Sequence, residues 1–369
     1  MGTNPQDITL EATGGRVGLL QRFPVRRVIQ WVLAVAIVLG VVVGTYQTLI
    51  LPEAEGISGA GWRDLIIAGL ARGSIYALIA IGYSLVYGIL GMINFAHGEV
   101  FMAGAFSSYF VGVVLEQDGL MNDNPVLAVL ILFLVAMAVS TGVAVLLERV
   151  AYRPLRNAPR LVPLITAIGA SLFLQNAFRG FFGPNARGYA KPATLEGDWS
   201  IFGIPVGRVG LIIVLTALVA MFALSLFVAR TKTGKSMRAL SQDKEIASLM
   251  GINVDGTIVR TFAIGGVMAG IAGVLFAMFI GSVDPFMGFV PGIKAFTAAV
   301  LGGIGSIAGA ALGGIFLGLV EAVAPFLLLT GAGVPSPNQL SDVVAFTVLV
   351  LVLIFRPGGI LGTGEPEKV

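Results

Sequence analysis

The composition of this 369-residue chain is that of a membrane protein, because 56% of its residues are hydrophobic and only 12% are charged, against about 25% in soluble domains. It has no cysteine and one histidine, His97, which argues against disulfides and against a metal centre. The net charge of +3 comes from Lys and Arg in short loops beside apolar segments, a pattern typical of membrane topology and not of nucleic-acid binding.

Ten apolar segments follow a polar N-terminal tail, residues 1–27, which we expect to be retained because no small-residue cleavage site follows its arginines. A helix needs about 20 apolar residues to cross a hydrocarbon core about 30 Å thick, so the segment 290–304 is too short for a straight crossing. The sequence predicts an all-α fold, a polytopic membrane helix bundle with about 9–10 transmembrane segments, one of them short or broken. The candidate segments are 28–51, 65–90, 97–115, 126–148, 162–182, 207–229, 257–281, 290–304, 306–329 and 338–355.

The charges between these segments predict the topology, because cytoplasmic loops are enriched in Lys and Arg. The basic regions are the N-terminal tail, residues 149–160, residues 230–256 and Arg356, whereas acidic residues such as Asp118 lie in the alternate loops. Ten crossings place all the basic regions on one side of the membrane. We therefore expect both termini, including the C-terminal tail 357–369, to be cytoplasmic.

Glycines are abundant, 50 of 369 residues, and many stand four apart inside the apolar segments. That spacing lets two helix backbones approach closely in lipid. Tight helix packing is the first interpretation, and a moving interface in an alternating-access protein is the second. The pairs are Gly69/Gly73, Gly266/Gly270, Gly305/Gly309, Gly309/Gly313 and Gly314/Gly318.

A charged stretch, residues 230–256, separates two long apolar segments. From Ser236 to Met250 it contains neither Gly nor Pro and mixes apolar with charged positions, which predicts a short amphipathic helix ended by Gly251. Such a helix either lies on the lipid headgroups or acts as a coupling helix that docks in a groove of a soluble motor subunit. The residues alone leave both interpretations open.

Polar side chains near membrane depth are costly unless they are paired or face water, so they are candidate functional residues. Asn94, His97 and Glu99 stand where one predicted segment ends and the next begins. Either Asn94 or His97 caps the following helix in a structural turn, or the group lines a translocation path or gate. A lone histidine is weak evidence for proton coupling.

Two further sets of side chains have a similar ambiguity. Tyr83 and Tyr87 share one helical stripe with Tyr76, which indicates either helix packing or a path wall for an aliphatic side chain. Gln175 and Asn176 leave the same two interpretations open.

Opposite charges lie inside two neighbouring apolar segments, at Lys294 and Glu321. A structural ion pair is the first interpretation of these residues, and substrate recognition is the second. We expect Arg72 to extend to the outer interface of the membrane.

Five strings of this sequence are long and specific: GLARGSIYALIAIGYSLVYGILGMINFAHGEVFMAGAF (69–106), AYRPLRNAPRLVPLITAIGASLFLQN (151–176), RALSQDKEIASLMGI (238–252), TAAVLGGIGSIAGAALGG (297–314) and IFRPGGILG (354–362). All five resemble the permease of branched-chain amino-acid ABC importers, specifically the first of its two permease subunits, the Liv H type. The resemblance covers the chain from about Gly69 to its end.

This resemblance implies that residues 243–251 correspond to the loop of importer permeases that contacts the ATPase, which favours the coupling-helix interpretation. It also implies a permease core, residues 61–356, that contains the coupling loop 230–256. Residues 28–60 would then be an extra N-terminal span and external loop, since the family usually begins closer to Gly69. The residues expected to couple to the ATPase are Arg238, Asp243, Glu245, Ala247, Ser248 and Gly251.

The leading interpretation is a permease subunit of an ATP-binding-cassette importer for branched-chain or related neutral amino acids, in a bacterial inner membrane. The resemblance implies three kinds of partner: a second permease subunit, two cytoplasmic ATPase subunits and a periplasmic or lipid-anchored binding protein. The chain has no GxxxxGK[ST] phosphate loop, so ATP hydrolysis would belong to the partners. We expect no catalytic residue, metal or cofactor in this chain, and no nucleic-acid partner.

Other functions compete with this interpretation. Relatives of this permease type also carry urea or short amides, and the sequence does not give the substrate, since selectivity rests largely with the binding protein. A secondary amino-acid transporter would be expected to have a relay of membrane acids, and Glu99 and Glu321 have no obvious chain of partners in the sequence. An intramembrane enzyme is disfavoured because neither a GxSxG nucleophile nor a pair of carboxylates is present.

Overall fold

The structure of the chain, a computed structural model, describes residues 25–50, 57–156, 158–159, 161–201, 203–330, 334–356 and 358–361. These residues form thirteen α-helices and two small antiparallel sheets, which confirms the prediction of an all-α polytopic bundle. The helices are α1 (Val25–Ile50), α2 (Gly59–Leu90), α3 (His97–Gln117), α4 (Leu120–Asp123), α5 (Pro125–Leu147), α6 (Leu161–Phe182), α7 (Arg208–Arg230), α8 (Lys232–Gln242), α9 (Lys244–Leu249), α10 (Val254–Ile280), α11 (Phe289–Gly302), α12 (Ile307–Leu329) and α13 (Ser341–Phe355). The strands are β1 (Arg187–Gly188), β2 (Asp198–Ile201), β3 (Ile204–Gly207) and β4 (Ser282–Val283).

Ten of these helices correspond to the ten predicted segments. Among the described residues, eight helices are long and apolar enough to cross a membrane. The helix α11 is short, as predicted for 290–304, and it ends at Gly302 because Gly303 follows with a φ of 107°, a value that favours glycine. The start of α2 was predicted at residue 65 but lies at Gly59, because the Ser58 hydroxyl accepts a hydrogen bond from the Gly61 N–H and caps the helix.

A first compact unit contains α1 together with residues 327–330 and Val334. Within it the hydroxyl of Thr48 donates a hydrogen bond to the Leu327 carbonyl oxygen, at 3.0 Å. The helix α1 begins at Val25, inside the predicted tail, and residues 1–24 of that tail lie outside the described residues. The separate role of residues 28–60 stays a prediction.

The second compact unit comprises the described residues from 57 to 326 and from 335 to 361, and it has α2, α3 and α10 at its centre. In the most apolar stretch of each helix, 67% of the residues are buried in α2 and in α3 and 61% in α10, but only 22% in α5 and in α6. The outer helices expose large apolar side chains such as Leu172 and Phe222, as expected of surfaces that face lipid or another membrane subunit. Of the predicted C-terminal tail, only residues 358–361 are described, and Ile360 N donates a hydrogen bond to Leu301 O at 2.8 Å.

Glycines allow the closest helix contacts in this unit. A Cβ atom at Gly318 of α12 would lie 2.2 Å from the Cα atom of Gly73 in α2, and a Cβ atom at Gly270 of α10 would lie 2.7 Å from the carbonyl oxygen of Ala136 in α5. Both distances are too short for a side chain. The predicted interpretation of these spaced glycines as packing positions is confirmed at these two contacts.

The loop between α6 and α7 contains short strands that the sequence analysis did not predict. The strand β2 pairs with β3 in a hairpin, with Asp198 opposite Gly207, and β1 pairs with β4 from the loop after α10. A cavity lies between this hairpin and the first turns of α2, because Asp198 of the hairpin and Asp64 of α2 both line it. The hairpin therefore lies at the N-terminal end of α2.

The predicted amphipathic helix over Ser236–Met250 is wrong as a single element. The chain forms α8 and α9 instead, and it breaks at Asp243, whose backbone is extended with a φ of −154°. The Asp243 carboxylate accepts hydrogen bonds from the N–H groups of Glu245 and Ile246, at 2.8 and 2.9 Å, and so caps α9. The predicted stop is confirmed, because α9 ends before Gly251, which has a φ of 81°.

Candidate functional site

The carboxyl group of Glu99 is the centre of a buried polar cluster between α3 and α6. Its Oε1 atom accepts hydrogen bonds from Ser171 Oγ at 3.0 Å and from Gln175 Nε2 at 2.7 Å. Ser171 and Gln175 stand one helical turn apart on α6, so both side chains face α3. The other carboxyl oxygen, Glu99 Oε2, has no hydrogen-bond partner among the described residues. One oxygen thus fixes the side chain, and the second is available.

The available oxygen lies against the start of α11. A Cβ atom at Gly288 would be 2.9 Å from Glu99 Oε2 and 2.3 Å from the carbonyl oxygen of Gly98, so no larger residue fits there. Conversely, a Cβ atom at Gly98 would be 2.4 Å from the carbonyl oxygen of Gly288. The first turns of α3 and α11 are therefore in backbone contact beside the Glu99 carboxyl group.

A cavity of about 250 Å³ lies next to this contact, between α2, α6 and α11. Its polar groups are the hydroxyls of Ser171 and Tyr83, and the rest of its surface is almost entirely apolar. Two of its lining residues, Leu172 and Phe289, are 52% and 50% exposed, so the cavity reaches the surface of the described chain. The lining residues are Tyr83, Phe95, Ile168, Ser171, Leu172, Gly288, Phe289, Gly292 and Ile293.

His97 and Tyr83 pack beside the same cluster. Their rings are 4.9 Å apart in an edge-on arrangement, and both side chains are buried. The His97 ring fills the space over Gly82, since a Cβ atom there would lie 2.1 Å from His97 Nε2. That nitrogen has no hydrogen-bond partner among the described residues.

Of the two interpretations of Asn94 and His97, the side-chain cap of α3 is wrong. The helix begins after Ala96 without a side-chain cap. Asn94 Oδ1 instead accepts a hydrogen bond from the hydroxyl of Tyr152, at 2.7 Å, in the turn that follows α5. The buried Tyr152 hydroxyl needs a partner, and this pairing satisfies it.

The structure separates the predicted path residues into two groups. Asn176 follows Gln175 on α6 and therefore points about 100° away from it around the helix axis. Its side chain is exposed and donates a hydrogen bond to the Leu172 carbonyl oxygen, at 2.8 Å. Tyr87 is half-buried, one turn beyond Tyr83 on α2. The residues gathered around the Glu99 cluster are Tyr83, His97, Glu99 and Gln175, whereas Tyr87, Asn94 and Asn176 lie outside it.

A second buried charge cluster joins α2, α11, α12 and α13. Lys294 Nζ lies 3.0 Å from Glu321 Oε1 and 2.7 Å from Asp342 Oδ1. Arg72 Nη1 lies 2.9 Å from the same Glu321 oxygen, so the expected extension of Arg72 to the interface is wrong. The Glu321 side chain is only 3% exposed, and a carboxylate at that depth requires cationic partners, which draws Arg72 inward.

The helices α8 and α9 are attached to the ends of two membrane helices. The guanidinium group of Arg238 donates to the carbonyl oxygens of Val228 and Ala229 at the end of α7, at 2.6 and 3.4 Å. Lys244 Nζ donates to the Leu90 carbonyl oxygen at the end of α2, at 3.3 Å. Of the other predicted coupling residues, Asp243 caps α9, while Glu245 and Ser248 are exposed.

The outward surface of α9 differs from the predicted one. Ala247 is 3% exposed and packs inward, so it does not belong to an outer docking face. The side chains that do point outward are Ile246, Leu249 and Met250, which are 60%, 86% and 77% exposed. We call these three residues the α9 apolar patch. An exposed apolar group of this kind marks an interaction site in many proteins.

A charged cavity of about 430 Å³ lies between the end of α2, the turn after α5, and the starts of α9 and α10. It is lined by Arg153, Arg156, Lys244 and Asp255. Asp255 pairs with both arginines, and Arg156 also pairs with the buried Glu148. Partial burial, followed by the charge of Arg156, lowers the pKa of Lys244 from its ordinary value. The two predicted basic loops, 149–160 and 230–256, therefore meet at one end of the molecule.

Sequence reasoning missed several residues of these sites. Ser171 stands four positions before Gln175, and that spacing of two polar groups in an apolar helix was a usable signal for a shared partner. Gly288 had no comparable signal. The residues of the α9 apolar patch were identifiable as apolar positions of the predicted amphipathic helix, but the sequence did not show that they face outward while Ala247 is buried.

Comparison with known proteins gives the family. A family model described as "Branched-chain amino acid transport system / permease component" matches residues 65–353. The chain is 46% identical over 309 residues to the high-affinity branched-chain amino acid transport system permease protein BraD of Pseudomonas aeruginosa, covering 82% of this chain and 97% of the relative. It is 45% identical over 306 residues to the permease protein LivH of Escherichia coli, covering 82% and 96%.

A more distant relative is also named as a branched-chain amino acid transport permease. The chain is 26% identical over 310 residues to the probable branched-chain amino acid transport permease protein LivH of Methanocaldococcus jannaschii. The alignment covers 82% of this chain and 93% of that relative. With its apolar helices and buried polar clusters, this multi-pass membrane protein belongs to the family of permease components of branched-chain amino acid transport systems.

Proposed function

We propose that this chain is one permease subunit of an ATP-driven importer that translocates branched-chain or related neutral amino acids across a bacterial inner membrane. Cytoplasmic ATPase subunits supply the energy, a second permease completes the path, and an external binding protein delivers the substrate. The relatives named for high-affinity branched-chain amino acid transport support this proposal.

The α9 apolar patch is the observation that carries the ATPase partnership. The six-residue helix α9 exposes Ile246 and Leu249, and Met250 directly after it is also exposed, so three large apolar side chains lie in water unless another protein covers them. Burial of one such side chain contributes about 1.5–3 kcal/mol. The helix is too short and too polar at its other positions to insert far into lipid. A groove on a soluble subunit is the partner that fits it best.

The attachments of α8 and α9 supply a way to transmit force. Arg238 ties α8 to the end of α7, and Lys244 ties α9 to the end of α2. Gly234 brings the α8 backbone against Val228, where a Cβ atom would lie 2.3 Å from the Val228 carbonyl oxygen. Movement of a docked ATPase would thus act on two membrane helices, and α2 carries Tyr83 at the Glu99 cavity.

The test is co-purification of the tagged chain with ATPase subunits from its native membrane. Wild-type chain should retain them, and their ATP hydrolysis should increase when loaded binding protein is added to the full assembly. Leu249→Glu should weaken ATPase retention about tenfold or more, since the variant loses one buried leucine and adds a charge. Gln242→Glu is the matched control, because it places the same charge at an exposed position of α8.

Loss of ATPase retention in Leu249→Glu but not in Gln242→Glu supports docking through α9. Equal retention by wild type and Leu249→Glu contradicts that docking. Failure of any ATPase to associate with the wild-type chain contradicts the importer proposal itself. Uptake of urea in preference to leucine by the full assembly would favour a permease for short amides.

A further inference from the structure

We propose that the cavity beside Glu99 is an amino-acid binding site within the permease, where the Glu99 carboxylate binds the substrate ammonium group and the apolar wall binds a branched aliphatic side chain. This inference rests on the proposed function, which requires that the amino acid pass through the membrane subunits. It adds the residues that recognise the substrate there.

The charge environment distinguishes Glu99 from the other buried acids of the described chain. Glu321 is paired with Lys294 and Arg72, and Glu148 is paired with Arg156. Glu99 is fully buried, yet its hydrogen-bond partners among the described residues, Ser171 and Gln175, are neutral. A buried carboxylate without a cation is costly. A bound ammonium group would supply the missing cation and the donors that Oε2 lacks.

Only glycine backbone separates Glu99 Oε2 from the cavity. The carboxyl group is fully buried and does not itself line the cavity. Gly288, which lines the cavity, packs directly against Oε2, since a Cβ atom there would be 2.9 Å from that oxygen. Gly292, one turn along α11, also lines the cavity without a side chain. Separation of the first turns of α3 and α11 would therefore open the carboxylate to the ammonium group of a ligand in the cavity.

The cavity itself indicates the class of ligand. Its volume of about 250 Å³ is below the range of about 300–1,000 Å³ for drug-sized ligands, so it suits a small molecule. Ser171 and Tyr83 provide its polar groups, and Phe95, Leu172 and Ile293 are among the apolar residues of its wall. A sugar would leave most hydroxyls unpaired on such a wall, and urea has no apolar part to bury against it. An amino acid with a branched aliphatic side chain can pair its polar groups with the polar groups of the site and bury its side chain against the apolar wall.

The first experiment measures binding to the purified full-length permease in lipid nanodiscs. The probes are L-leucine, isopentylamine, which lacks the carboxylate, and 4-methylpentanoate, which lacks the ammonium group. Wild type should bind leucine and isopentylamine more tightly than 4-methylpentanoate by roughly 10- to 100-fold, as expected for a hydrogen-bonded charge pair. Glu99→Gln should lose this preference. Glu116→Gln, an exposed position on the same helix, should keep it.

A purely structural role for Glu99 would change stability without changing the preference among the three probes. Equal binding of leucine and 4-methylpentanoate by wild type, or an unchanged preference in Glu99→Gln, would overturn the proposal. Because the assay needs no ATPase, its result is independent of whether the importer proposal holds.

A second variant covers the case in which Glu99→Gln does not fold. Ile168 lines the cavity and is 46% exposed, so Ile168→Trp should be tolerated while it fills the space for the aliphatic side chain. We expect leucine binding to fall about tenfold or more, whereas Ile165→Trp, on the same helix and 67% exposed, should bind leucine normally. Normal leucine binding by Ile168→Trp would overturn the assignment of this cavity.

Discussion

Lys244 Nζ lies 3.3 Å from the carbonyl oxygen of Leu90, so the first residue of α9 is hydrogen-bonded to the last residue of α2. The carbonyl groups at the end of a helix have no partner within it, and a cationic side chain is well suited to bind them. This contact connects the proposed ATPase-docking helix to the helix that carries Tyr83 at the Glu99 cavity.

We predict that Lys244→Met weakens coupling and leaves docking intact. The variant keeps the length of the side chain but removes the charged donor, and one hydrogen bond of about 1 kcal/mol corresponds to about a fivefold effect. ATPase co-purification should equal that of wild type, while leucine-stimulated ATP hydrolysis should fall about fivefold. Lys235→Met, at an exposed position of α8, is the control. Unchanged stimulation in Lys244→Met would show that this contact does not transmit the movement.

We predict that Ala247→Trp destabilises the permease itself. Ala247 is 3% exposed, and its carbonyl oxygen accepts a hydrogen bond from Ile252 N, so a large ring there would push α9 off its support. Overpacking of this kind costs about 1–3 kcal/mol. Thermal unfolding of the purified variant should begin at a lower temperature than that of wild type. The exposed neighbour Ser248→Trp should unfold like wild type, and an equal shift in both variants would contradict the inward position of Ala247.

We predict that Lys294→Met is strongly destabilising. It removes the cation between Glu321 and Asp342, and loss of one partner of a buried ion pair costs about 3–5 kcal/mol. Arg72→Met should be milder, because Arg72 is 27% exposed and Lys294 would still pair with Glu321. The measurement is the yield of folded protein and its unfolding temperature in detergent. A smaller loss in Lys294→Met than in Arg72→Met would contradict this order.

Single introduced cysteines test the topology, and the absence of native cysteine makes the labelling clean. Ser241 and Glu196 are both exposed. Ser241 lines a cavity with Gly88 near the end of α2, whereas Asp198, two residues after Glu196, lines a cavity with Asp64 near its start. The 32 residues of α2 span about 48 Å. We predict that Ser241→Cys reacts with a membrane-impermeant maleimide only from the cytoplasmic side and Glu196→Cys only from outside. Labelling of both positions from the same side would contradict the topology.

The helices were predictable from the sequence, but their partners were not. Apolar runs gave the positions of the ten helices that match the predicted segments, because apolar length is a local property of the sequence. The break at Asp243 was missed, since an aspartate on the polar face of a helix and an aspartate that caps a new helix have the same neighbours in sequence. Capping became visible only with the backbone in place.

At the candidate sites, the contacts that the sequence did not predict join residues far apart in the chain. Glu99 and Gln175 were identifiable as polar residues in apolar segments, but their hydrogen bond joins residues 76 positions apart. Arg72 was assigned to the interface because Glu321, its partner 249 positions away, could not be placed beside it. Ala247 was assigned to a docking face because the sequence does not show which side of a short helix the protein covers.

L-leucine uptake into proteoliposomes that contain the complete assembly with loaded binding protein tests ATP-driven import most directly. We expect uptake that requires hydrolysable ATP on the cytoplasmic side, that stops with a non-hydrolysable analogue, and that is absent for this chain alone. Leucine uptake by this chain alone under a proton gradient, without ATP, would contradict it.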